Sequence, residues 1–318
     1  MSCIEPTRCS APRRRTKTSA RAGLRALVVG ALLGIPGSVG PSRAVTPPAP
    51  ADSSLGAPAG APPPTCRAVP IGNFAAWRAL TTSLGPERLL LVLKLNRVDL
   101  AHVRARDTLV VPEFAQRPVS PGAELMALSP FPRQVPHLSG VRKFIVVSRR
   151  IQAFAAYERG ALVRWGPVST GRRDAPTPTG LFHTNWKAKR TVSTENPEWI
   201  LNWYFNLKNA TGVSLHQYEL PGYPASHSCV RLLEDDARWI YSWAEQWVRS
   251  RQTDAFLAEG TPVLILGDYA YGRRPPWKRL PADPHACDVP PREIGAALAG
   301  RLNLVLERQR ARELATAK

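Results

Sequence analysis

The stretch HQYELPGYPASHSCVRL, residues 216–232, carries two of the chain's six histidines and one of its five cysteines. Three chemistries can use His216, His227 and Cys229. A zinc site would take two imidazoles and a thiolate, but it needs a fourth ligand or an open position. His183 is the nearest further histidine, and no CxxC or HExxH pattern accompanies it; neither a metal nor a cofactor is expected. A buried, inert thiol is the bland alternative. The run Ser226-His227-Ser228-Cys229, however, lies between a Gly/Pro loop and the acidic triplet Glu234-Asp235-Asp236, which suits a helix start. A helix N-terminus and a nearby imidazole both lower a thiol pKa from about 8.5, the condition for a nucleophile. His216 closes a short apolar strand and is placed to act as general base. Backbone N–H groups of Ser228 and Cys229 are candidates to meet a developing oxyanion, where one donor contributes about 3 kcal/mol.

The elements that must position these groups are mostly β. KFIVVS (143–148), IQAFAAY (151–157) and ALVRWGPVST (161–170) read as three strands joined by short turns, a β-meander. GRRDAPTPTG (171–180) is a loop, and LFHTNWKAK (181–189) reads as one further strand. VSLH (213–216) delivers His216, and TPVLIL (261–266) is a last buried strand. A helix is expected from the acidic triplet onward, with Trp239, Trp243 and Trp247 sharing a core-facing stripe with Ile240, Ala244 and Val248. Residues 290–315 predict one amphipathic helix with proline at its start.

Ahead of this domain lies a smaller unit, residues 68–117. Ile71 to Leu84 is helical in pattern, LLLVLKLNRVDL (89–100) carries an apolar stripe ending in a turn at Asn96-Arg97, and DTLVVP (107–112) reads as a strand. The order resembles the second half of a LysM glycan-binding module, without the strand that begins such a module. A glycan contact and a purely packing role both stand for this unit. A proline-rich connector (118–139) follows it, and a Pro/Ala-rich tether (46–67) precedes it.

Residues 1–45 read as an export signal: a basic lead, an apolar run LRALVVGALLGI (24–35), then small residues. The run is short of the roughly 20 residues that span a bilayer, and no later stretch is long and apolar enough. The mature protein is expected in the periplasm or cell wall with no stable membrane span. The leader holds eight Arg/Lys and one Glu, so 35 basic and 23 acidic residues remain of the 43 and 24, about +12 of the formal +19. A basic exported chain suits an anionic partner. The arginines form no aromatic-interleaved stripe, and nucleic acid is not expected. Cys66, Cys229 and Cys287 survive signal removal; a Cys66–Cys287 bridge would leave Cys229 as the free thiol.

Taken in order, KFIVVS, the STG…TPTG loop (Ser169 to Gly180), WILNWYFNL…TGVSLH and His216…Ser226-His227-Ser228-Cys229-Val230-Arg231 resemble the L,D-transpeptidase family with the YkuD-type catalytic domain. The resemblance implies a β-sandwich catalytic domain over 140–268, flanked by helices and followed by a C-terminal extension (269–318). It implies a cysteine acyltransferase of cell-wall biogenesis and cell shape that acts on peptidoglycan stem peptides and is open to carbapenems. Cys229 would be the thiol nucleophile, His216 its base, and His227 a shaper of the oxyanion pocket. Ser226, Ser228 and Arg231 would serve the oxyanion or the substrate, and Trp203 and Tyr204 the donor groove. Two features depart from the family pattern: Ser228 replaces glycine, and the His-to-Cys interval is short. The short loop predicts that Ser228 keeps a negative φ. A hydrolytic variant of the same fold, a cysteine peptidase with Cys before His, and a non-catalytic wall-binding protein are the rivals. The His-then-Cys order argues against the second.

Overall fold

The structure, a computed structural model, describes residues 64–114, 120–209 and 212–317. The expected leader and nearly all of the tether lie outside the described residues. The first element departs from expectation. Cys66–Pro70 (β1) pairs antiparallel with Thr108–Pro112 (β2), from Cys66↔Pro112 to Pro70↔Thr108. Between them runs Phe74–Leu95 (α1), whose start is capped by Asn73 Oδ1 accepting from the Ala76 N–H at 2.8 Å. Gly85, at φ 67°, breaks α1 before Pro86. The unit is therefore strand–helix–helix–strand, and the first strand predicted to be missing is present. CRAVP hid it because most of β1 faces solvent and carries no apolar run.

Pro121–Ala127 (α2) leads into the main sheet. Its strands are Phe144–Ser148 (β3), Ala153–Glu158 (β4), Ala161–Ser169 (β5), Gly180–His183 (β6), Lys187–Val192 (β7), Ile200–Lys208 (β8), Val213–Gln217 (β9) and Val230–Leu232 (β10). Glu234–Trp243 (α3) follows, then a small ribbon of Val248–Arg249 (β11) and Phe256–Ala258 (β12), and Pro262–Leu266 (β13) completes the sheet. The nine strands stand in the order β6-β13-β3-β4-β5-β10-β9-β8-β7. The expected meander β3–β4–β5 is antiparallel throughout, while β13 runs parallel to β3.

The side-chain period of two explains why this sheet needs layers on both sides. Phe144, Val146, Tyr157, Trp165 and Leu264 face a core that includes Leu91 and Leu95 of α1, Trp277, and Ile294. Ile145, Val147, Phe154, Val168 and Ile265 face the opposite way, toward Phe205, Leu215, Val230 and Ile240. The second set belongs to β8, β9, β10 and α3, so the far half of the sheet curls over the near half. The fold is mostly β with flanking helices, as expected for the L,D-transpeptidase class.

Three expected elements end differently. LFHTNWKAK is not one strand: it leaves β13 after His183 and joins β8 from Lys187, with the Thr184 N–H on Thr261 O and the Asn185 N–H on Asn206 O in between. The tryptophan helix stops at Trp243, where Lys143 Nζ takes the carbonyl at 2.8 Å; Trp247 lies beyond it, edge-on to Phe256. The C-terminal helix is two, Pro291–Ala297 (α4) and Leu302–Thr316 (α5), separated at Gly300 with φ 72°. Among the described residues no helix is long and apolar enough to cross a membrane, and Cys66 and Cys287 are free thiols.

The N-terminal unit is tied to the main sheet rather than hung beside it. Asp99 exchanges backbone and side-chain hydrogen bonds with Leu220, and Arg106 donates to Pro221 O. Deeper, Lys94 of α1 meets Asp236 of α3 at 2.6 Å, and Arg164 of β5 reaches the other carboxylate oxygen at 2.7 Å. Asp236 is fully buried and Lys94 nearly so. Removing one partner of a buried pair leaves an uncompensated charge at a cost of about 3–5 kcal/mol. Because Arg164 remains, Lys94→Met is expected to cost about 3 kcal/mol in denaturant unfolding. A loss below about 1 kcal/mol would show that this cluster does not hold the unit in place.

Candidate active site

Register builds the site. β10 lies antiparallel to β5 and parallel to β9, with Val230 opposite Leu215 and Arg231 opposite His216. One step earlier, Cys229 falls opposite Ser214, and Ser214 Oγ donates to Cys229 Sγ at 3.2 Å. Alternation then places Ser214, His216, Cys229 and Arg231 on one face of the sheet. All but the fully buried Ser214 line a single cleft, together with Trp186, Trp199, Tyr204, Tyr218, Ser226 and His227.

The turn that carries Cys229 is braced by the STG…TPTG loop. The Cys229 carbonyl accepts from Ser226 Oγ and from Thr177 Oγ1, the latter at 3.2 Å. Thr177 Oγ1 in turn accepts from the Gly171 N–H at 2.8 Å. Gly171 bridges to Ser226, the Ser226 N–H donates to Thr170 O at 3.1 Å, and the Arg172 N–H donates to Ser226 O at 2.9 Å. A Cβ on Gly171 would strike the Ala175 carbonyl and stand 2.5 Å from the Thr177 amide nitrogen, so only glycine fits this approach. Ser226 is therefore a buried brace on the turn, at the wall of the cleft.

Ser228 sits at φ 73°, in the left-handed region. This overturns the expectation of a negative φ: shortening the loop did not relax the backbone, because the hydrogen bonds on either side fix the turn. A serine held there stores strain of order 1 kcal/mol.

The thiol differs from the low-pKa nucleophile expected. β10 separates Cys229 from the start of α3 along the chain, so the thiol does not sit in that helix's first turn. Burial pushes the thiol pKa up, offset in part by the Ser214 hydrogen bond and the Arg231 charge. In the resting protein Cys229 Sγ donates to Gly212 O at 3.1 Å. His216 is 3% exposed and lies 3.0 Å from Gln217 O through Nδ1. A carbonyl only accepts, so Nδ1 carries the proton and Nε2 is the open acceptor. Burial lowers this imidazole's pKa to about 4. At neutral pH the resting pair is thus a thiol and a neutral imidazole.

The other predicted residues separate. His227 packs its ring on Trp199 at 4.8 Å and leaves Nδ1 buried, with no hydrogen-bond partner among the described residues. Arg231 lays its guanidinium on Tyr218 at 4.6 Å and lines the cleft. Tyr204 stacks near His216, at 6.4 Å, and on Trp186, at 4.9 Å. Trp203 does not reach the cleft: a bulge in β8 puts it at φ 51°, and it packs under Arg238 and against Tyr241 of α3. Ser214, Gly212, Thr177, Trp186, Trp199 and Tyr218 were not anticipated. Ser214 was within reach, since a strand residue two before His216 must share its face. Among the described residues no group of three His, Cys, Asp or Glu converges as a metal site.

Residues 142–265 match the family model of the L,D-transpeptidase catalytic domain, YkuD. Similar solved structures include an L,D-transpeptidase from Mycobacterium smegmatis, 20% identical with a TM-score of 0.32 over 40% of this chain and 59% of that one. An L,D-transpeptidase from Stackebrandtia nassauensis is 24% identical, with a TM-score of 0.33 over 40% and 56%. L,D-transpeptidase 3 from Mycobacterium tuberculosis, in complex with a faropenem-derived adduct, is 18% identical, with a TM-score of 0.31 over 40% and 60%. The chain spans less than two thirds of each of these proteins. No curated protein matches it.

Two measurements follow from the geometry. Ser228→Gly removes the left-handed strain while raising unfolded-state entropy; the strain outweighs it, and a gain of about 1 kcal/mol in stability is expected, visible as a higher melting temperature. An unchanged or lower melting temperature would mean that the serine is relaxed. The pH dependence comes from His216 and from His183, whose pKa burial and Arg308 also lower to about 4. Both bind a proton more readily in the unfolded chain, so stability is full above pH 6.5 and falls as pH drops toward 4. His183→Gln, which leaves the cleft intact, is expected to flatten that fall. A melting temperature constant from pH 7 to pH 4 would contradict both burials.

Proposed function

We propose that the protein is an exported peptidoglycan L,D-transpeptidase working through a thioacyl-enzyme on Cys229. The observation that carries this reading is the convergence of Cys229, His216 and Arg231 in one cleft of a YkuD-type domain. Cys229 attacks the carbonyl that joins diaminopimelate to the terminal D-Ala of a tetrapeptide stem. Its proton passes to His216 Nε2, which is neutral and unprotonated at rest and therefore able to take it. D-Ala leaves with a proton returned by His216, and a thioester remains. The side-chain amine of a second stem then displaces the sulfur, giving a 3→3 cross-link and a free thiol; water or another amine would resolve the same thioester.

The neutral resting pair gives the substrate a part in activation. Proton transfer from a buried thiol to a buried imidazole creates two charges in a low-dielectric site, which is costly until a carbonyl is in position to accept the electron pair. Among the described residues Arg231 offers the one guanidinium that lines the cleft, suited to a stem carboxylate or to the developing negative charge. Carbapenems present a strained amide to the same sulfur and should acylate it.

Incubating the mature protein with disaccharide tetrapeptide and resolving products by mass is the direct test. A cross-linked dimer lacking one D-Ala is expected, and Cys229→Ala should abolish both product and any carbapenem adduct while the melting temperature stays near that of the parent. Tripeptide alone would identify a hydrolase, and turnover by Cys229→Ala would end the covalent reading.

A further inference from the structure

Two unlike charges line the cleft around Cys229, the Arg231 guanidinium and the Glu195 carboxylate. Arg231 stands on β10 and lies over the Tyr218 ring. Glu195 stands in the turn between β7 and β8, where its side chain is exposed. Hydrogen bonds knit that turn. The Ser193 N–H donates to Trp199 O at 3.0 Å, the Glu195 N–H to Ser193 Oγ at 3.1 Å, and the Glu198 N–H to Asn196 Oδ1 at 2.9 Å. Short polar side chains that bond neighbouring backbone in this way define a tight turn. Trp199, which closes it, packs on His227. Among the described residues the Glu195 carboxylate has no hydrogen-bond or ion-pair partner, and Arg231 reaches only the Glu219 carbonyl, at 3.5 Å. Burial is the chief cause of the raised thiol pKa; of the lesser influences Arg231 lowers it and Glu195 raises it, so both charges act at the sulfur.

An unpaired anion beside a thiol disfavours the thiolate, and a cation entering the same cleft would relieve it. The donor stem brings a neutral amide nitrogen to the scissile bond. The acceptor brings an amine. It arrives as an ammonium, loses one proton to water, and turns positive again as its lone pair forms the C–N bond. The C–S bond then breaks, and the surplus nitrogen proton passes through His216 to the sulfur. The amine that displaces sulfur comes in along the path by which D-Ala departed, and D-Ala is itself an amine with a carboxylate on the same carbon. We infer that Glu195 and Arg231 form the acceptor subsite of this cleft and select an amine whose own carbon carries a carboxylate, Glu195 meeting the cationic nitrogen and Arg231 the carboxylate. The inference rests on the thioacyl-enzyme reading of Cys229 and names the acceptor class which that reading leaves open. A protein lysine, with no carboxylate beside its amine, would use only half of the subsite.

The test follows the fate of one thioester. The full chain is given disaccharide tetrapeptide with D-leucine, or with D-leucinamide, which lacks the carboxylate. The ratio of leucine-exchanged stem to tripeptide, read by mass, compares an amine with water at the same thioester, whatever the rate at which that thioester forms. Exposed ion pairs contribute modestly, so the parent is expected to favour D-leucine over D-leucinamide about fivefold. Glu195→Gln is expected to lower the D-leucine ratio about fivefold, and Glu195→Asp, which keeps the charge, to recover most of it. High salt should lower the ratio in the parent and not in Glu195→Gln, a response that a merely structural role would not give. Equal use of the two amines by the parent would overturn the subsite. So would an unchanged ratio in Glu195→Gln, and a raised KM for tetrapeptide alongside it would place Glu195 on the donor stem instead. Tripeptide alone with either amine would overturn the subsite and leave the thioester reading standing. No thioester on Cys229 of the parent, with tetrapeptide or with a carbapenem, would bring down that reading and the subsite with it.

Discussion

A three-residue stretch of parallel pairing, β9 against β10, is the constraint on which the site depends. It sets Arg231 beside His216, and by extension Cys229 beside Ser214. A slip of one residue would turn the thiol to the other face, into the apolar core around Val230 and Leu232. So short a strand cannot fix its register by its own ladder. Its apolar residues do so from below, and the hydroxyls of Ser226 and Thr177 do so from the loop side by claiming the Cys229 carbonyl.

The downstream end of β10 is secured by charge. Asp236, in the first turn of α3, is reached from α1 by Lys94 and from β5 by Arg164. Gly166 on β5 makes room for it, since a Cβ there would overlap the carboxylate. A buried cluster of this kind adds little net stability, because desolvation offsets most of the attraction, but it strongly disfavours arrangements that leave one member unpaired. The N-terminal unit is thus part of what holds α3, and through α3 the strand that carries the thiol. That coupling gives residues 68–117 a packing role without any glycan.

How much of this was legible depended on whether the signal was local. β3, β4 and, after its opening proline, β13 were readable because both faces are buried and their apolar runs are continuous; β5 was readable despite Gly166-Pro167 because short turns separate it from its neighbour. Cys229, His216 and the loop from Ser169 to Gly180 were readable as ordered motifs. β1 was not, since its pairing with β2 supplies what its own composition lacks. The end of α3 at Trp243 is set by Lys143, Thr184 and Thr261, far away in sequence, which override a helical stripe that continues to Val248. Trp203 and Tyr204 were paired as groove residues because they are adjacent; a bulge, invisible in the sequence, sends one to α3 and the other to the cleft. Ser214 and Asn206 read as ordinary strand polars until the cross-strand pairing of β8 and β9 is known.

Ser228 shows how the site is held in a conformation its own sequence disfavours. The left-handed turn costs of order 1 kcal/mol for serine. Each of the two hydroxyl donors on the neighbouring carbonyl contributes about as much in return, so the turn persists by virtue of residues on two other segments. The same carbonyl bonds orient the Cys229 peptide, so strain and thiol geometry are set by one device. A glycine would reach the same turn without strain but with more freedom in the unfolded chain. The serine is tolerable here because Ser226 and Thr177 leave the backbone no alternative.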